Sequence, residues 1–223
     1  MENIVINCIG DSHVSIFNGS DMPSESINGS CPSDRIPYFR THRVGAYLAW
    51  SIGDDKHEGH ASTLNTSTEF IQKDLYTLFS FGEIDCRTHL IPQSERTNKT
   101  LEEVTVECVN KYFNGFVLKV LNERNHKKII CYGPPPSTDS DTFKGTKEQR
   151  NFCCKTFNEH LRSLCADNNI TFWTIYKDIL NEDWSVKGNL YYDGIHNKSS
   201  CLNFLEKELE KFDILDIKKY IEN

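Results

Sequence analysis

Two short stretches near opposite ends of this chain hold residues that could do nucleophilic chemistry together. Gly10-Asp11-Ser12-His13 closes an apolar run and leaves a serine at its end, while Asp193-Gly194-Ile195-His196 supplies a carboxylate and an imidazole three positions apart. A serine hydroxyl is a poor nucleophile until a base takes its proton, and that base needs a third group to orient it. Serine, histidine and aspartate together are the parts required for acyl transfer. Each half alone is ambiguous. Gly-Asp-Ser also suits a helix N-cap, and Asp-x-x-His also suits a surface turn.

These side chains need a frame. Ile4 to Ile9 reads as a buried strand ending at Gly10, Ile36 to Phe39 as a short second strand, and Leu75 to Phe81 as a strand ending at Gly82. Lys128 to Tyr132 and Ile170 to Ile175 complete the strands, the former stopped by Gly133-Pro134-Pro135-Pro136. Val44, Tyr47, Leu48 and Ile52 share a helical face. Two capping boxes, Thr100 with Glu103 and Thr146 with Gln149, open helices with apolar stripes. A last helix from about Ser200 places Leu202, Leu205, Leu209 and Phe212 on one side. Asn18 to Asp34 and Asp54 to Thr68 read as polar loops. Strands alternating with helices predict an α/β fold with a parallel sheet covered on both faces. Ligands of such sheets bind beyond the carboxyl ends of the strands, where Ser12, Gly82 to Asp85 and Pro134 all fall.

Composition narrows the function. The 223 residues suit a single domain spanning 1–223, and 25 basic against 32 acidic residues give a formal net charge of -7. Such a balance lacks the electrostatic footprint of a nucleic-acid or anionic-membrane partner. No run approaches a membrane span and no signal peptide is visible, so the expected compartment is the cytoplasm. Nine cysteines include no C-x-x-C pair, which points to reduced, buried thiols and gives no metal-ligand spacing. His57 and His60 are two histidines in a polar loop, short of a ligand set, and no metal or organic cofactor is expected.

Across nearly its whole length, from Gly10 to His196, the sequence resembles the SGNH, or GDSL-type, hydrolases. Gly10-Asp11-Ser12-His13 is similar to the family's first block and Asp193-x-x-His196 to its last. Gly45, in Arg43-Val44-Gly45-Ala46, resembles the glycine whose backbone N–H faces the oxyanion. Gly82-Glu83-Ile84-Asp85 resembles the third block, usually Gly-x-Asn-Asp. The resemblance implies a three-layer α/β/α sandwich, flavodoxin-like. It makes Ser12 the nucleophile, His196 the general base and Asp193 its orienting partner. The chain departs from the pattern at Ile84, where the family places an amide donor to the oxyanion. Removing one such donor typically costs about 3 kcal/mol of transition-state stabilisation. Arg87 and His89 are candidate replacements, although Glu83 could instead hold Arg87 in a local ion pair. His13 could line the substrate pocket, and Glu83 and Asp85 border it.

The expected function is a serine esterase acting through an acyl-enzyme on short acyl groups, with O-acetyl groups on carbohydrate as the leading substrate class. The partner is then a small-molecule or glycan ester. An O-acyltransferase would use the same residues and differ only in the acceptor. A non-catalytic carbohydrate-binding module on a decayed esterase scaffold is the reading that Ile84 motivates.

Overall fold

In the computed structural model the chain is described over residues 6–19, 29–32, 36–61, 65, 75–123, 128–140 and 142–221. Six strands form one sheet: β1 (Ile6–Gly10), β2 (Gly29–Pro32), β3 (Phe39–Arg43), β4 (Tyr76–Ser80), β5 (Ile129–Tyr132) and β6 (Thr171–Trp173). Their order is β2-β3-β1-β4-β5-β6. The five strands from β3 to β6 run parallel, and β2 joins the β3 edge antiparallel.

Alternation along each strand divides the core between the two faces. Ile9, Phe79, Ile129 and Cys131 join one apolar cluster, covered by the helices Leu90–Thr97, Leu101–Tyr112 and Lys147–Asp167. Ile6, Cys8, Leu78, Ile130 and Tyr132 join the other, covered by the 3-10 helices Ser12–Asn18 and Ser199–Leu205 and by Glu206–Glu210. Helices on both faces of a mostly parallel sheet make the three-layer α/β/α sandwich that the alternation predicts. Both capping boxes form, with each threonine and its glutamate or glutamine exchanging hydrogen bonds. The eight described cysteines are buried thiols. No helix among the described residues is long and apolar enough to cross a membrane.

Several elements differ from the sequence reading. The second central strand starts at Phe39 and runs on to Arg43, because it pairs residue for residue with β1. A helix through Val44 to Leu48 does not form. Gly45 has φ +133, outside any right-handed helix, and only Ala49–Ile52 is helical. Within the expected loop from Asn18 to Asp34, Gly29–Pro32 is a strand, while 20–28 and 33–35 lie outside the described residues. In the expected loop from Asp54 to Thr68, residues 58–61 are helical, and 62–64 and 66–68 lie outside the described residues.

Candidate active site

The parallel register brings three strand ends level: Gly10 lies opposite Arg43 on one side and Ser80 on the other. Gly10 must be small. A β-carbon there would sit 2.3 Å from the Ser80 carbonyl oxygen. Asp11 turns the chain from β1 into the 3-10 helix Ser12–Asn18, its Oδ1 accepting the His13 amide at 2.9 Å as an N-cap. Ser12 is therefore held at the first position of a helix, at the carboxyl edge of the sheet. Asp11 is fully buried, and that burial pushes its carboxyl up to about 6.

The aspartate and histidine arrive on a loop that is closed on itself. Asp193 Oδ1 accepts the amides of Ile195 at 2.9 Å and His196 at 2.8 Å, a turn completed by Gly194 at φ +83. The Tyr192 amide donates to the His196 carbonyl at 2.8 Å, and Tyr191 bridges to Asn197. From the segment after β5, Thr138 Oγ1 donates to the Gly194 carbonyl, and the Tyr191 hydroxyl donates to the Pro136 carbonyl.

The two ends meet. His196 Nδ1 lies 2.8 Å from Asp193 Oδ2, and His196 Nε2 lies 2.7 Å from Ser12 Oγ. A proton on Nδ1, bonded to the carboxylate, leaves Nε2 as an acceptor for the serine hydroxyl. Burial pushes the Asp193 carboxyl up, but the bonds from His196 and Ile195 outweigh it and hold it at about 2. Burial, with the neighbouring charge of His13, lowers His196 below the ordinary histidine value, against the pull of Asp193. The imidazole thus gives up its proton more readily than an ordinary histidine.

Around this chain the remaining sequence-derived candidates separate. Gly45 follows β3, and the preceding Val44 amide donates to the Gly10 carbonyl at 3.0 Å, which sets that glycine beside the serine turn. His13 is buried, with Nε2 2.9 Å from Glu83 Oε2, and its ring lies 5.0 Å from that of His196. Glu83 Oε1 accepts Arg87 Nε at 2.7 Å, so the local ion pair forms. Arg87 also stacks on Phe143 at 5.1 Å. His89 leans on Trp50.

Asp85 requires a correction. It is fully buried and touches no open surface, so it does not border a substrate. Its carboxylate accepts the amides of Ala49 at 2.6 Å and Trp50 at 3.1 Å, and Cys108 Sγ lies at 3.4 Å. Asp85 caps the helix Ala49–Ile52 from across the fold and so anchors the segment that carries Gly45. The supporting contacts of Thr138 and Tyr191 had no spacing signal, because both reach the Asp193 loop from distant segments. Among the described residues, no group of three or more His, Cys, Asp or Glu could hold a metal ion.

Comparison with known proteins bears on the fold. No family model matches the sequence, and no curated protein matches it. Solved structures do. A GDSL-like lipase from Bacteroides thetaiotaomicron is similar over 99% of this chain and 90% of its own, with TM-score 0.56 and 12% identity. A carbohydrate acetylesterase from Sinorhizobium meliloti is similar over 96% of this chain and 100% of its own, with TM-score 0.54 and 14% identity. An aryl esterase from M. smegmatis is similar over 95% and 99%, with TM-score 0.55 and 15% identity.

Proposed function

We propose that this chain, which has the fold of the GDSL-type hydrolases, is a serine esterase that works through an acyl-enzyme. The observation that carries the reading is the Asp193–His196–Ser12 chain of contacts at 2.8 and 2.7 Å. Ser12 Oγ attacks the ester carbonyl as its proton passes to His196 Nε2, and Asp193 stabilises the imidazolium that results. His196 then gives that proton to the departing alcohol. In the second half, water loses a proton to His196 and attacks the acyl-serine, which releases the acid and restores the hydroxyl. Backbone N–H groups at the Ser12 turn and at Gly45 are the donors offered to the oxyanion. The chemistry needs no cofactor.

Short acyl esters, with O-acetyl groups on carbohydrate foremost, are the substrate class we favour. The fold likeness to a carbohydrate acetylesterase supports it. Transfer of the acyl group to a sugar hydroxyl would use the same steps with a different second nucleophile, and the ratio of transferred to hydrolysed product separates the two. Ile84, which offers no amide, favours the second reading of a glycan-binding module without turnover. Buried thiols at every described cysteine fit a reducing compartment such as the cytoplasm.

Intact-mass analysis after a fluorophosphonate probe tests the reading. One adduct, mapped to Ser12 and lost in Ser12→Ala, is expected. A folded protein that takes no adduct overturns the esterase and favours glycan binding that survives Ser12→Ala.

A further inference from the structure

A largely buried chain of ionisable side chains, Arg87–Glu83–His13, ends against the ring of His196. Arg87 Nε donates to Glu83 Oε1 at 2.7 Å, and Glu83 Oε2 lies 2.9 Å from His13 Nε2. The Glu83 and His13 side chains are 7% and 3% exposed. The His13 ring then lies 5.0 Å from the His196 ring, tilted by 34°. A buried carboxylate and imidazole are costly to keep, and an apolar pair of like volume is often as stable or more so. Their place beside the base suggests a role other than stability.

We propose that Glu83 keeps His13 as an imidazolium against His196, and that this cation is a positioning group that lowers the proton affinity of the base. The proposal rests on the reading of His196 as that base. Adjacent like charges disfavour both being ionised. Each ring has its own carboxylate, Glu83 for His13 and Asp193 for His196. Glu83 is the more buried of the two, so its partner keeps the charge and His196 goes without one. The other groups around the pair fit. Asp11 lies beside His13 on its own turn and favours the cation, while Arg87 opposes it from beyond Glu83. On β3, which packs on the same 3-10 helix, Arg40, His42 and Arg43 are the ionisable groups, and His42 Nε2 meets Asn7 Oδ1 of β1 at 3.3 Å. Burial lowers His13 and the Glu83 charge raises it, with the balance above the ordinary value; His196 shifts the opposite way. The consequence is a base that stays unprotonated, and turnover that persists, at more acidic pH.

The first test needs no substitution. In the unaltered protein, NMR titration of the two ring resonances is expected to show His13 still protonated after His196 has lost its proton. The reverse order overturns the proposal. In His13→Gln, the His196 midpoint is expected to rise by about one pH unit, and the acid limb of kcat/KM to move with it. A purely structural His13 would lower the plateau or the melting temperature and leave the midpoint where it was, and that result also overturns the proposal. Glu83→Gln, which discharges His13, is expected to move the midpoint the same way but less far, because the Glu83 charge itself also raises His196. Should the protein show neither ester turnover nor a probe adduct, the esterase reading fails while the titration still decides this one.

Discussion

At the scale of single residues, the site is a set of side chains held by short polar contacts, 2.8 and 2.7 Å along the Asp193–His196–Ser12 chain. Asp85 is the residue whose role changed most between sequence and structure. Its position in the Gly-x-x-Asp block is visible in the chain, but the partners that define it, Ala49 and Trp50, lie over thirty residues away. Asp85→Ala leaves two buried amides without acceptors, each worth about 1–3 kcal/mol. Urea denaturation is expected to show a loss of about 2–6 kcal/mol for the two together, and the probe reaction at Ser12 to slow even where the protein remains folded. A variant as stable and as reactive as the parent would show that the cap does not anchor the Gly45 segment. Ser12, Asp193 and His196 could be paired from the sequence because their residue types complete one chemistry and resemble two blocks of one family, although each stretch alone also reads as a cap or a turn. The Glu83–His13 contact could not, since both residues carry alternative partners that only packing selects.

At the scale of elements, the segment after β5 is a clasp for the Asp193 loop. Arg150, on the helix Lys147–Asp167, donates to the Thr138 carbonyl at 2.8 Å, the Gly145 carbonyl at 2.7 Å and Ser137 Oγ at 2.9 Å. Thr138 in turn donates to the Gly194 carbonyl. Arg150 thus serves mainly backbone carbonyls, with Asp139 at 3.5 Å. Arg150→Met is expected to destabilise by about 3 kcal/mol, from carbonyls stripped of their donor. Hydrogen exchange at Gly194 to His196 should rise with it. Unchanged protection there would break the link between helix and loop. Helix starts at Thr100 and Thr146 were legible because a capping box is written in four consecutive residues. The turn at Gly45 was not, because glycine permits the positive φ without announcing it.

For the whole molecule, the alternation of strands and helices gave the layers, since a buried parallel strand reads as a short apolar run whatever its neighbours. Edge strand β2 escaped that reading. Gly29-Ser30-Cys31-Pro32 has a loop's composition and is a strand only through its ladder with β3. Global stability should carry an acid-sensitive component from the buried site. Burial pushes Glu83 up, but His13 and Arg87 prevail and hold it at about 2, against an ordinary value of 4.5. A carboxyl depressed in the folded state stabilises above its unfolded value and loses that contribution as pH falls through the folded one. Stability should thus decline from about pH 4.5 towards 2, by up to about 3 kcal/mol from this group. Melting temperatures across that window, with Glu83→Gln beside the parent, check it; the variant is expected to show the shallower slope.

The sequence separation of 184 from Ser12 to His196 also orders events during synthesis. The serine leaves the ribosome before its base, which follows only when all six described strands have been made. Until then the hydroxyl has no partner to take its proton. A nascent chain therefore exposes a nucleophile that is chemically silent, and reactivity begins only once the last helices dock.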